Sequence, residues 1–180
     1  ALELSHTMID IGASMDTSVR PLITDMDQPL GLEVCNAVEV AESIETLRGE
    51  GPQDVTDVTV SLVAEMLDVA GKAEDRSRAK QMLYELLQDG TALDVLRDII
   101  ANQGGDPSVC DDPSLLPTAD HIDVYETSRP GVVESLDAQE VGLAALELGA
   151  GRHTKEDDID PAVGLVFRNK RGSRLEKGDP

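Results

Sequence analysis

Leu22-Ile23-Thr24-Asp25-Met26-Asp27-Gln28-Pro29-Leu30-Gly31 passes from a short apolar run into a polar turn closed by proline and glycine. Residues 19–24 read as a buried strand, and Asp25 to Gly31 as the loop leaving its C-terminal end. In an α/β sheet that end is where ligands collect. Upstream, residues 2–15 read as a helix with Leu4, Met8 and Ile11 on one face and Gly12 near its end. Downstream, Asn36 with Glu39 three positions later has the spacing of a capping box, and Ala37, Val40, Ala41, Ile44 and Leu47 follow as one helical stripe stopped by Gly49.

Three further amphipathic stripes follow. Val55, Val58, Leu62, Val63, Met66 and Ala70 end at Gly71; Ala79, Met82, Leu83, Leu86 and Leu87 end at Gly90; Leu93, Leu96, Ile99 and Ile100 form the last. Residues 102–107 and 111–117, rich in Gly, Asp and Pro, break the period and mark a domain boundary. Beyond it, Ile122, Val124 and Tyr125 suggest a strand, Arg129-Pro130-Gly131 a turn and Val132-Val133 a returning strand. Asp137 with Glu140 caps a helix carrying Val141, Ala144, Ala145 and Leu148, which Gly149 ends, and residues 163–167 read as another strand.

Composition excludes several classes of function. Thirty-six acids against fifteen bases leave a formal charge of −21, the opposite of the basic face that tracks a phosphate backbone, so nucleic acid is not an expected partner. No apolar run approaches the roughly 20 residues that cross a bilayer, no secretory leader is visible, and the expected location is cytoplasmic. Cys35 and Cys110 lie far apart without metal-type spacing, as inert thiols do. Phe167, Tyr84 and Tyr125 are the only aromatic residues, too few to stack a base between rings.

The opening stretch, followed by Asn36-Ala37-Val38-Glu39-Val40 and Leu47-Arg48-Gly49-Glu50-Gly51, resembles the pyrimidine and thymidine nucleoside phosphorylase family. The likeness continues in the family's order through Gly149-Ala150-Gly151-Arg152 with Lys155-Glu156-Asp157, and through Val163-Gly164-Leu165 with Gly178-Asp179-Pro180. It implies an α/β fold: residues 1–117 as the C-terminal part of the central domain, a partial helix-covered sheet, and residues 118–180 as a small, incomplete α+β C-terminal domain of hammerhead-like shape. That shape is shared with lipoyl carriers, but no central swinging-arm lysine is present. The family's phosphate-gripping glycines and base-reading Arg, Ser and Lys lie upstream of the aspartate-methionine turn. Both ends of the chain therefore read as cut, no catalytic or substrate-binding residue is expected within it, and the isolated chain is expected to be inactive.

The activity implied for the whole enzyme is phosphorolysis of thymidine to thymine and 2-deoxyribose 1-phosphate, by a homodimer without an organic cofactor. Two alternatives remain open: a nucleoside-monophosphate phosphorylase of the same superfamily, or a non-catalytic structural or binding module. The resemblance also implies a potassium ion, held by the backbone carbonyls of Leu30 and Glu33 and the carboxylate of Glu42, with further ligands from an upstream loop. Pattern alone places Glu42 opposite the stripe of Ala37, Ala41 and Ile44, where glutamate is usually solvated. Cys35 stands where relatives usually have glycine, in a position whose backbone geometry cysteine resists. Asp25 and Asp27 suit a turn in which short acids satisfy local amides better than they suit an acid/base pair. Arg152, His153 and Lys155 could receive an anion, but basic residues after a helix also complement its dipole.

Overall fold

Each helical stripe becomes a helix in the computed structural model, which describes residues 1–180. The helices are α1 (Leu2–Ser14), α2 (Asn36–Leu47), α3 (Gln53–Val69), α4 (Arg76–Gln88), α5 (Thr91–Asn102) and α6 (Ala138–Ala145). Short 3-10 turns over Pro107–Cys110 and Pro113–Leu115 follow α5, each opened by an aspartate, Asp106 or Asp112, that accepts a backbone N–H two residues on. Asp75 caps α4 by accepting the Arg78 N–H, and Asp137 caps α6 by accepting those of Gln139 and Glu140, supplying acceptors for amides that have no partner inside the helix.

Ile44, Leu93 and Cys110 form the best-buried apolar cluster, where α2 meets α5 and the first 3-10 turn, with Leu47, Leu96, Ile100, Val109 and Leu116 packed around it. Arg48 closes this cluster by donating to the carbonyls of Cys110 and Asp111 at 2.6 and 3.0 Å. Arg97 of α5 grips the Asp111 carboxylate with two nitrogens, at 2.7 and 3.0 Å. Helices α3 and α4 pack together, and the buried residues they contribute are small: Val60, Ala64 and Ala79. Helix α1 stands apart, with Leu4, Met8 and Ile11 all more than half exposed and only Gly12 buried.

The mixture of helices and sheet expected from the sequence is present, but the sheets are small and antiparallel. β1 (Glu33–Val34) pairs with β3 (Leu165–Val166), and β2 (Gly131–Val132) pairs with β4 (Arg174–Leu175). The expected strand at residues 19–24 does not form. Leu22 and Ile23 are substantially exposed, and no other strand of this chain lies beside them to complete a ladder. Ile122, Val124 and Tyr125 likewise form no strand and project into solvent; alternation supplies the pattern of a strand but not its partner.

The β1–β3 ladder ties residues on either side of the expected boundary at 117/118. It is reinforced at the start of α2. The Asn36 side chain does not cap α2 as its spacing suggests; its Nδ2 donates to the carbonyls of Ala150, Asp160 and Val163 at 2.9, 3.1 and 3.4 Å. Capping falls instead to Glu39, whose carboxylate accepts the Cys35 N–H at 2.8 Å. Gly164 presses so closely against this corner that a Cβ would lie 2.6 Å from Val38 and 3.0 Å from the Cys35 carbonyl.

Cys35 itself adopts φ 77° and ψ 139°, a region that side chains beyond glycine enter at a cost of about 1–3 kcal/mol. Replacing it with glycine relieves that strain and loses roughly 0.4–1 kcal/mol through a freer unfolded chain. Cys35→Gly is therefore expected to raise the urea midpoint of unfolding by a modest margin. A lowered midpoint would show that the cysteine sits there without strain.

Candidate functional site

Helical periodicity assigns α2 one buried face, yet the helix is covered on two. Glu42 and Thr46, one turn apart on the side away from the Ile44 cluster, are 8% and 6% exposed. The cover on this second face is irregular backbone, which has no period to read. Gly51 sits against Thr46, where a Cβ would meet the Thr46 hydroxyl at 2.1 Å, and the turn from Leu30 to Glu33 lies across Glu42. Glu42 is therefore not the solvated residue that pattern alone suggests.

Its Oε1 accepts the backbone N–H groups of Leu32 and Glu33, at 2.7 and 3.2 Å. A carboxylate engaged in this way is held in place and in turn fixes the turn that feeds β1. Gly31 completes the fit: its φ is +74°, and a Cβ there would lie 2.0 Å from Glu42 Oε2. On the far side of the turn, Asp54 of α3 accepts the Gly31 N–H at 3.2 Å. Lys170 joins the Asp54 carboxylate at 2.9 Å and also donates to the Pro29 carbonyl.

The three residues named for the cation thus sit on one short turn and the helix beneath it. The Phe167 N–H donates to the Leu32 carbonyl at 2.7 Å, one half of a hydrogen-bonded pair, while the Leu32 N–H turns to Glu42. Glu33, opposite Val166, is then a non-bonded position whose N–H and C=O both face away from β3. The Leu30 carbonyl accepts no backbone or side-chain hydrogen bond.

Around them, Glu33, Glu42, Glu45 and Glu50, with Arg168 as the one base, line a shallow basin. One oxygen of Glu33, Oε2, is buried there without a partner. Burial, together with the charges of Glu42 and Glu45, pushes the Glu33 carboxyl above its ordinary range, against an opposing pull from Arg168. These features fit a cation held by oxygen. No three His, Cys, Asp or Glu side chains converge as a metal-binding group anywhere in the chain, so carbonyl dipoles would have to supply much of the coordination, as suits a weakly charged ion.

The other candidates resolve into structure. Asp25 accepts the Asp27 N–H at 2.9 Å and pairs with Arg171 at 2.8 Å; that amide and then Arg171 hold its carboxyl below the usual carboxylate range, although desolvation opposes them. Cys110 is fully buried, and burial followed by the neighbouring Glu39 charge pushes the Cys35 thiol up, away from the reactive thiolate. In the loop after α6, Asp157 accepts the N–H groups of His153 and Thr154 at 3.0 and 2.9 Å. Of the basic side chains there, His153 and Lys155 each lie 3.7 Å from an acid, Glu147 and Glu156. Sequence pattern assigns neither Asp54 nor Lys170 to a site, although the two meet at 2.9 Å from positions 116 apart in the chain.

Residues 132–180 match the model of the pyrimidine nucleoside phosphorylase C-terminal domain. The pyrimidine-nucleoside phosphorylase of Bacillus subtilis is 46% identical over 180 residues, all of this chain and 42% of the relative. That of Staphylococcus haemolyticus is 43% identical over 176 residues, 98% of this chain and 41% of the relative. Along its whole length the chain is similar to pyrimidine-nucleoside phosphorylases. It spans about two fifths of the length of these relatives. The similarity runs from the aspartate-methionine turn through the C-terminal residues. No helix is long and apolar enough to cross a membrane.

Two outcomes test this geometry. Gly31→Ala is expected to lower stability by more than about 3 kcal/mol, because backbone strain and a clash with an immobilised carboxylate add; a melting temperature within error of the parent would refute the packing. Glu33→Gln is expected to stabilise the fold at neutral pH by less than about 1 kcal/mol, since the group is only partly buried. That advantage fades as pH falls through the raised Glu33 pKa, where the native residue becomes neutral as well. Denaturation at neutral and acid pH, in buffer without potassium, checks both the sign and the fading.

Proposed function

We propose that this chain is the scaffold portion of a pyrimidine-nucleoside phosphorylase, a cytoplasmic homodimeric pentosyltransferase that converts thymidine and phosphate into thymine and 2-deoxyribose 1-phosphate. The observation that carries the reading is the 46% identity to the Bacillus subtilis pyrimidine-nucleoside phosphorylase along the entire chain. In this reaction phosphate oxygen forms a bond to the anomeric carbon as the bond to the base nitrogen breaks and the base departs with the electron pair. Positive charge gathers on the sugar in between, so the enzyme's work is positional and electrostatic. The side chains described above hold a turn in place and none is a reacting group. The segment from residue 118 is read as the hammerhead-like C-terminal domain, an architectural element.

The same reading places a potassium ion at the Glu42 turn, held by the Leu30 and Glu33 carbonyls and the Glu42 carboxylate together with oxygens from elsewhere in the protein. Bound there, the ion supplies charge compensation to the acidic basin. Glu42 keeps the turn in register through its two amides, and the glycine at 31 lets backbone and carboxylate approach.

The full-length protein is expected to release thymine from thymidine only when phosphate is present, with 2-deoxyribose 1-phosphate as co-product. Chromatography that finds no phosphate-dependent thymine overturns the assignment, and a preference for thymidine monophosphate redirects it to the related phosphorylases. The isolated 180-residue chain is expected to show no turnover. Potassium chloride is expected to raise the melting temperature of the full-length protein above that in tetramethylammonium chloride at equal ionic strength. Glu42→Ala is expected to abolish that difference besides lowering the baseline. An undiminished potassium response in the variant removes the cation from this turn.

A further inference from the structure

Two adjacent basic residues reach from the C-terminal segment to the turn that carries Leu30. Lys170 and Arg171 lie in a turn braced by its own hydrogen bonds, with the Lys170 N–H donating to Ser173 Oγ at 3.1 Å and the Ser173 N–H to the Lys170 carbonyl at 3.0 Å. The Gly172 N–H ties this turn to the Val133 carbonyl at 2.9 Å, so its side chains project from a fixed base. The Arg171 guanidinium pairs with Asp25 at 2.8 Å, and the Arg171 backbone N–H donates to Gln28 Oε1 at 3.2 Å. Lys170, with its side chain only 18% exposed, donates to the Pro29 carbonyl and to Asp54. Asp54 accepts the Gly31 N–H through the same oxygen that Lys170 contacts, and its other oxygen is held by the Val55 N–H at 3.0 Å.

The Gly31 N–H and the Leu30 carbonyl belong to one peptide unit, which is planar and trans. Fixing the direction of that N–H therefore fixes the carbonyl on the opposite side. The preceding unit is held too, through the Pro29 carbonyl. Lys170 and Asp54 thus clamp the backbone on both sides of Leu30 while leaving the Leu30 oxygen without a partner.

We propose that the Lys170–Asp54 pair is a positioning device that aims the Leu30 carbonyl and so sets the affinity of the Glu42 turn for a monovalent cation, making that affinity depend on the docked C-terminal segment. This rests on the cation reading given above. Neither residue is a ligand; both act through the Leu30–Gly31 peptide. The sign of the effect is diagnostic. Lys170 carries positive charge, so if it acted only through its field, removing it would tighten binding of a cation. Acting through geometry, its removal weakens binding, by about tenfold or more as for other groups that orient metal ligands.

The test uses the full-length protein and potassium chloride, titrated against tetramethylammonium chloride at constant ionic strength, with melting temperature as the readout. Lys170→Met is expected to raise the half-saturating potassium concentration about tenfold, and Lys170→Arg to restore much of the loss. Hydrogen exchange at the Gly31 amide supplies a readout that does not involve the ion: protection is expected to fall in Lys170→Met and in Asp54→Ala. Should Lys170→Met fail to fold, Asp54→Asn, which keeps an oxygen for Gly31 but breaks the ion pair, carries the same expectation. Unchanged or tighter potassium binding in these variants overturns the device while leaving the cation reading intact. A parent protein that ignores potassium overturns both, and loss of Gly31 protection would then show only that the clamp exists.

Discussion

A buried carboxylate that accepts two consecutive backbone amides governs the geometry of this chain. Glu42 is held on α2, which is anchored in the Ile44 cluster, and through its Oε1 it dictates where Leu32 and Glu33 lie. Those two residues lead into β1, β1 recruits β3, and the approach of β3 brings Lys170 onto the turn. Removing the carboxylate would leave two amides without a partner, at roughly 1–3 kcal/mol each where they are buried. It would also release the register on which the ladder depends. The tight contact with Gly31 shows how little freedom remains: the backbone comes within a methyl group's breadth of the acid.

The same corner is secured a second time by Asn36. Three carbonyls from the C-terminal segment converge on one amide nitrogen, and the Pro161 carbonyl accepts the Ala37 N–H at 3.1 Å beside it. Helix α2 therefore presents its first turn to the C-terminal segment, one flank to the Leu30–Glu33 turn and another to the apolar cluster. The strain at Cys35, where the chain enters the helix, lies at the meeting point of all three.

Helices were legible in the sequence because their signal is local. Stripes such as Ala37, Ile44 and Leu47, and stops such as Gly71 and Gly90, depend only on residues within a few turns. Strands were legible only in part, because a strand exists only with a partner: residues 163–167 and Val132 gained one, Leu22-Ile23 had the composition but no neighbour, and Glu33-Val34 had no strand-like pattern yet found one far along the chain. Leu30, Glu33 and Glu42, the residues proposed for a cation, are singled out by resemblance alone. Periodicity argued against Glu42 because the material covering it is loop, and nothing local marks Asp54 or Lys170. Asn36 was read as a cap from correct spacing, but its amide serves a distant contact that spacing cannot contain.

The β1–β3 ladder and the Asn36 contacts impose an order of events on the chain as it is made. Asn36 waits 114 residues for Ala150, so the helices between them are synthesised, and their local contacts can close, before the turn at Leu30–Glu33 acquires its clasp. Distant pairings of this kind form late because the intervening chain must first give up its freedom. At a ribosomal pace of roughly 5–20 residues per second, the nascent turn spends on the order of ten seconds with its edge unpaired, and it matures only after the residues around Ala150 and Val166 have emerged.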